Sequence, residues 1–232
     1  MVHYAFELLA YNVGFVWYLR QRRTTGDVID VHARWWIVAA AIAGAAVGSK
    51  VLFWFEDPGQ TLAHWSNPVF LMSGKTVVGG LAGGLIGVEL TKRRLGIEQA
   101  TGDLFAVPLA LGIAIGRIGC FFAGLADQTY GTATTLPWGV DFGDGIMRHP
   151  TQLYETMFLV VVAAGLSWYA SRQHRQGDVF KLFLAAYMAF RLLVDFIKPE
   201  VRLALGLSAI QWTALAVLLY YARHLRSRLV TA

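Results

Sequence analysis

Residues Gly116–Glu155 read GRIGCFFAGLADQTYGTATTLPWGVDFGDGIMRHPTQLYE, and this stretch decides what kind of protein the chain is. It begins inside an apolar run, LALGIAIG, which Arg117 interrupts. It then crosses a loop rich in Gly, Thr and Asp and re-enters an apolar run behind His149-Pro150. An unpaired arginine in the middle of a bilayer-length segment costs about 2.5–3.5 kcal/mol on insertion scales. Such a residue beside an irregular polar loop is expected to do chemical work. The stretch therefore reads as the active-site region of an integral membrane enzyme.

Working outward, the 232 residues are 56% hydrophobic and 15% charged, against about 25% charge in an ordinary soluble domain. Seven apolar stretches approach membrane-spanning length. They are His3–Leu19, Trp35–Phe55, Val69–Leu90, Leu104–Ala123, Leu153–Ala170, Val179–Ile197 and Ser208–Ala222. Each is too long and too apolar for a strand, and backbone crossing a bilayer must satisfy its own hydrogen bonds, so helices are expected. The reading is an all-α integral membrane protein, a seven-transmembrane helix bundle forming one multi-pass domain over residues 1–232. Residues 1–20 lack a basic leader followed by a cleavage site, so the first segment reads as a retained helix.

Orientation follows from lysine and arginine placement. Twelve fall in alternate connections and the tail: Arg20, Arg22, Arg23, Arg34, Lys92, Arg93, Arg94, Arg172, Arg175, Arg223, Arg226 and Arg228. Only Arg148, Lys198 and Arg202 fall in the other connections. Positive residues favour the cytoplasmic side, which puts the N-terminus outside, the C-terminus in the cytoplasm and the loop at about 124–152 outside. The net charge of +5 thus points to anionic lipid headgroups, not to nucleic acid. One cysteine, Cys120, excludes an internal disulfide and a Cys-based metal cluster. No long internal repeat suggests an inverted-repeat transporter.

Several features could carry chemistry. Ser73-Gly74-Lys75-Thr76 imitates the end of a phosphate-binding loop, but Val69 stands where the first glycine should be and no strand precedes it. Gly79, Gly83 and Gly87, beside Gly80 and Gly84, form a small-residue ridge suited to close helix packing. Lys75 is expected near the outer end of that helix, either in a structural pair or at an anionic headgroup. Lys50 lies inside the second segment, and Glu7 in the first is a candidate partner for Lys75, Lys50 or Arg117. Glu89, beside Lys92 and Arg93, reads as an interface charge. Arg117 has two readings: a buried Arg–carboxylate pair, or a planar guanidinium placed for bidentate phosphate contact. Cys120 reads as a small buried thiol. Asp127, Tyr130, Trp138, Asp141 and Asp144 suggest an ordered surface loop, with no calcium-loop spacing. His149 could serve as a general base or pin the loop, while Gln152 and Glu155 share a helix face. Tyr187, Arg191 and Asp195 recur at i, i+4 and i+8, with Lys198 near the same stripe. That stripe is either self-neutralising or, with Arg117, lines a cavity for a phosphate-bearing lipid.

These residues carry a resemblance. GRIGCFFAG, the Leu136-Pro137-Trp138-Gly139-Val140 strip, RHPTQLYE and AAYMAFRLLVDF together resemble the prolipoprotein diacylglyceryl transferases, from about Lys75 to the end. Those are seven-span bacterial membrane enzymes that move diacylglyceryl from phosphatidylglycerol to a lipobox cysteine thiol. The resemblance places the family arginines on Arg117 and Arg191, with Asp195 in its acidic position. It also places the His-Pro-x-Gln-x-Tyr-Glu motif on His149, Pro150, Gln152, Tyr154 and Glu155. It implies that these positions bind the phospholipid headgroup and stabilise charge on the leaving glycerol phosphate. The departures are Cys120 for a motif asparagine, Ala123-Gly124-Leu125 for Asn-Gly-Glu, and Val78 for a histidine that the family uses toward the thiol.

Together the expectations are these. Arg117, Arg191, His149 and Lys75 act in catalysis, while Tyr187, Asp195, Gln152, Tyr154, Glu155 and Glu7 bind or position substrate. No metal or cofactor is called for, because phosphate is already a fair leaving group once its charge is stabilised. The partners are a phospholipid, expected to be phosphatidylglycerol, and a prolipoprotein, in the bacterial cytoplasmic (inner) membrane. The alternatives are transfer of a lipid moiety to a non-thiol acceptor, or a non-catalytic lipid-binding or transport role.

Overall fold

The computed structural model describes residues 2–229, and among them helix predominates, with one short hairpin as the only strand pair. Seven long helices match the predicted segments in number: α1 (Val2–Thr25), α2 (Val31–Glu56), α5 (Val77–Leu95), α6 (Asp103–Ala123), α7 (Thr151–Ala170), α8 (Asp178–Val194) and α9 (Ala209–Leu229). Two short helices, α3 (Pro58–Ala63) and α4 (Pro68–Met72), lie between α2 and α5. The strands β1 (Val140–Asp141) and β2 (Met147–Arg148) pair antiparallel in the loop before α7. The side chains of Arg223, Arg226 and Arg228, which entered the charge count, lie outside the described residues.

The chain forms two compact units, one of residues 1–27, 100–187 and 196–199, the other of residues 28–99, 188–195 and 200–232. In the first, α6 packs against α1 and α7. Phe6 stacks on Phe122 at 5.6 Å and Tyr18 on Phe105 at 4.9 Å, which sets α1 along α6. Asp103 at the start of α6 accepts backbone N–H bonds from Gly177 (2.6 Å) and Phe180 (3.0 Å). Those are donors that the first turn of α8 would otherwise leave unsatisfied.

In the second unit the glycine ridge does what its spacing suggests. Gly79, Gly83 and Gly87 of α5 face Gly48, Gly44 and Ala40 of α2 so closely that a Cβ on Gly83 would lie 2.2 Å from the Gly44 carbonyl oxygen. Only hydrogen fits there, and the two backbones meet directly.

The third predicted segment needs correction. It does not run from Val69. Asn67 caps the short α4, whose first residue is Pro68, and Gly74 then adopts φ +49° with the Phe53 ring against it. Thr76 caps a new helix, its Oγ1 accepting from Gly79 N at 3.0 Å. Lys75 is therefore an exposed loop residue ahead of α5, not part of a helix end. Lys50 holds this break in place, donating to the carbonyl oxygens of Met72, Ser73 (2.6 Å) and Gly74 (2.6 Å) instead of a carboxylate.

Beside an apolar core, several polar and charged side chains are buried while many large apolar ones are exposed. Arg117, Gln152, Glu155, Arg191, Asp195 and Gln211 are buried, while Trp35, Trp36, Ile42, Val47, Met157, Val160, Val161 and Trp168 are exposed. Among the described residues, the helices Val31–Glu56 and Thr151–Ala170 and the helical run Asp103–Asp127 are long and apolar enough to cross a bilayer. Exposed apolar side chains along helices of this length suit a lipid solvent.

Candidate active site

The first unit gathers three of the predicted residues on one oxygen. Arg117 on α6 lies with its Nε 2.9 Å from Glu155 Oε1 on α7, an ion pair by distance though not in line for a hydrogen bond. The hydroxyl of Tyr187 on α8 donates to the same Oε1 at 2.6 Å. Arg117 is 8% exposed, Glu155 5% and Tyr187 0%. Both readings of Arg117 thus begin from an observed pair, and its carboxylate is Glu155. One turn before it on α7, Gln152 is 1% exposed, and both polar atoms of its amide are buried without a hydrogen-bond partner. A buried amide left in that state costs about 1–3 kcal/mol.

The loop before α7 is ordered by its own polar groups. Asp141 Oδ1 accepts from the amides of Gly143 (2.8 Å), Asp144 (3.1 Å) and Gly145 (3.0 Å). Arg148 makes two bonds to the Asp144 carboxylate, at 2.6 and 2.8 Å. This pairing holds the Asp144 carboxyl below its usual range and raises Arg148. His149 is bonded through its main chain to Gly131 (2.8 Å) and Thr132 (3.1 Å). Its Nδ1 is also 3.2 Å from Tyr154 Oη, which accepts from Trp138 Nε1 at 2.8 Å. His149 and Tyr154, predicted from one motif, are thus brought together, and Trp138 of the Leu-Pro-Trp-Gly-Val strip joins them.

The second unit contains the other arginine. Arg191 is 2% exposed and donates from Nη2 (2.8 Å) and Nε (3.2 Å) to Asp195 Oδ1. Asp195 Oδ2 accepts from Ser208 Oγ at 3.3 Å, and its carbonyl from Arg202 Nη2 at 2.7 Å. Gln211 completes the network: Oε1 accepts from Arg202 Nη1 (2.8 Å) and Ser208 N (2.9 Å), and Nε2 donates to Leu192 O (2.9 Å). The predicted Arg–Asp pair is therefore real, and it sits in a larger network. Lys75 belongs to this unit, as does the wholly buried Val78. Glu7, in the first unit, lies with its Oε1 3.4 Å from His3 Nε2.

The model of the prolipoprotein diacylglyceryl transferase family matches residues 3–224. The chain belongs to this family. Its relatives include phosphatidylglycerol–prolipoprotein diacylglyceryl transferases from Bordetella bronchiseptica, 35% identical over 91% of this chain and 86% of that protein. Another, from Nitratidesulfovibrio vulgaris, is 31% identical over 91% of this chain and 82% of its own length. A third, from Methylobacillus flagellatus, is 31% identical over 91% and 87%. For a member of the prolipoprotein diacylglyceryl transferase family, the motif residues Arg117, Gln152 and Glu155 are then buried polar groups of one unit, and Arg191 and Asp195 of the other.

Sequence reading missed Ser208, Gln211 and Arg202. The signal for the first two was present: Ser208-Ala209-Ile210-Gln211 before an apolar run is a capping box. The structure closes it reciprocally, Ser208 Oγ accepting from Gln211 N at 3.1 Å and Gln211 Oε1 from Ser208 N. Arg202 had no local pattern, because its partners come from two separate elements.

Proposed function

We propose that this chain is a multi-pass enzyme of the bacterial cytoplasmic membrane that moves diacylglyceryl from phosphatidylglycerol to the thiol of a prolipoprotein lipobox cysteine. The observation that carries the reading is the buried Arg117–Glu155–Tyr187 cluster with Gln152 beside it, at the positions where the family's motifs fall. Family membership and the names of the relatives support the donor and the acceptor.

In this reading all seven long helices span the bilayer, the N-terminus is outside, and the loop at 124–152 faces outward. The sulfur of the acceptor cysteine attacks the carbon of the diacylglyceryl moiety that bears the phosphate. The carbon–oxygen bond breaks as the carbon–sulfur bond forms, and glycerol phosphate departs with the electron pair. Arg117 meets the phosphate charge, because a guanidinium in a low-dielectric site stabilises developing anionic charge without reorganising. Glu155 and Tyr187 hold that guanidinium, and the Gln152 amide takes a polar group of the headgroup. Arg191 with Asp195, on motif evidence, compensates phosphate charge likewise. His149, steadied by Tyr154, or Lys75 assists the thiol proton on its way to the phosphate. Glu7 completes the set of substrate-positioning groups.

The test is a reconstituted transfer assay with phosphatidylglycerol vesicles and a lipobox peptide, following glycerol phosphate release and peptide mass. Peptide gaining diacylglyceryl, with the gain lost in folded Arg117→Ala, is the expected result. Folded protein that yields neither signal would overturn the proposal.

A further inference from the structure

A second cluster lies one turn along α6 from Arg117, within the same unit. His3, Cys120 and Asp127 each offer a donor atom, and these three atoms lie within 4.8 Å of one another. The His3 ring has one nitrogen beside a carboxylate and the other facing inward. Its Nε2 is 3.4 Å from the Glu7 carboxylate, while its Nδ1 is shut off from solvent with no hydrogen-bond partner. A carboxylate that takes one imidazole N–H fixes the tautomer and leaves the lone pair on the other nitrogen, the arrangement of metal-bound histidines. Asp127 is oriented in turn by Thr129, whose hydroxyl donates to Oδ2 at 2.6 Å. Arg117 Nη1 stands 4.0 Å from Cys120 Sγ. None of this depends on the proposed transferase activity.

We propose that His3 Nδ1, Cys120 Sγ and the Asp127 carboxylate bind one divalent ion of the zinc class. Thiolate, imidazole and carboxylate together suit Zn²⁺ and its neighbours and not Mg²⁺ or Ca²⁺, which take oxygen. Metal–ligand distances of about 2.0–2.3 Å require the donors to draw together slightly on binding. The thiol gives its proton to solvent as it does so. Three protein ligands leave a fourth position for water or an incoming thiolate. The ion would tie α1 to α6 and to the turn at Asp127, close to the guanidinium of Arg117.

The full-length protein, stripped of metal in detergent, is titrated with Co²⁺ and then with Zn²⁺. Because Cys120 is the sole cysteine, any thiolate-to-cobalt charge-transfer band in the near ultraviolet reports on it alone. The expected result is a saturable band with tetrahedral visible absorption at one equivalent, displaced by zinc and absent in Cys120→Ser. His3→Ala and Asp127→Asn should weaken cobalt affinity at least tenfold, and Glu7→Gln by about tenfold as an outer-shell change. No saturable band in the unsubstituted protein would overturn the proposal whatever the variants do. A band undiminished in folded His3→Ala and Asp127→Asn would do the same.

Discussion

Replacing Glu155 by glutamine tests the central cluster most directly. Glu155 Oε1 lies 2.9 Å from Arg117 Nε and 2.6 Å from the Tyr187 hydroxyl, and all three side chains are buried. The amide still offers an oxygen to the tyrosine, so the change removes charge and little else. Breaking a buried ion pair by neutralising one partner costs about 3–5 kcal/mol, since the other charge stays desolvated. For a chain of this length each kcal/mol lowers the melting midpoint by about 2–4 °C. Glu155→Gln should therefore melt roughly 6–20 °C below the parent, read by tryptophan fluorescence in detergent at a fixed scan rate. Arg117→Met combined with Glu155→Gln should recover most of that loss, because no uncompensated charge remains. The recovered double variant should still lack transfer activity. A single variant melting within about 2 °C of the parent would refute the energetic reasoning, and an active double variant would refute the role given to Arg117.

Three further outcomes rest on particular contacts. Gly83→Ala places a Cβ 2.2 Å from the Gly44 carbonyl oxygen, whereas Gly84→Ala meets Ala41 O at 3.3 Å. The first should sharply reduce the yield of folded protein in size-exclusion chromatography, and the second should be tolerated. Gln211→Ala removes the acceptor for Arg202 Nη1 and Ser208 N and the donor to Leu192 O, and should lower stability by about 1–3 kcal/mol in the same melting assay, with Gln211→Glu in between. Finally, Arg148 holds the Asp144 carboxyl below its usual range. A depressed folded value means that the pair's contribution is complete above the ordinary aspartate pKa of about 3.9 and is lost as pH falls through the folded value. Hydrogen exchange of the 141–148 backbone, corrected for intrinsic rates, should stay slow down to about pH 4 and accelerate below it. Arg148→Met should remove that pH dependence.

What the sequence disclosed and what it hid divide by range. The fourth and fifth segments were legible to within two residues, because Asp103 and the His149-Pro150 step mark where their apolar runs begin. The third was misplaced by eight, since Pro68–Met72 is apolar and reads as continuous with the apolar start of α5. The break comes from Lys50, reaching carbonyls 22–24 residues away, and no local window contains that contact. The hairpin escaped notice because two residues per strand are too few for alternation to register. Arg117 stood out as a cost that demanded a partner, yet the carboxylate singled out on paper was Glu7, itself eligible for Lys75, Lys50 or Arg117. Only the packing of α6 on α7 chooses Glu155. The His3–Cys120–Asp127 cluster was hidden for the same reason, as its members come from α1, α6 and the turn beyond it.

The site's composition bears on why such pairs exist at all. A buried arginine–carboxylate pair is weak evidence of a stabilising role, because well-packed apolar residues of similar volume often do as well or better. An apolar environment sharpens that argument, since every alternative residue would be welcome there. The chain nonetheless keeps Arg117–Glu155 in one unit and Arg191–Asp195 in the other, together with an amide at Gln152 that satisfies nobody in the described structure. Stability does not explain that set; the proposed work on a phosphate does. Tyr187 fits the same proposal: its hydroxyl donates to Glu155 Oε1, and that bond would remain if the guanidinium turned toward a phosphate. Tyr187→Phe should then raise the KM for phosphatidylglycerol more than it lowers the melting midpoint, whereas a merely structural hydroxyl would move the midpoint first.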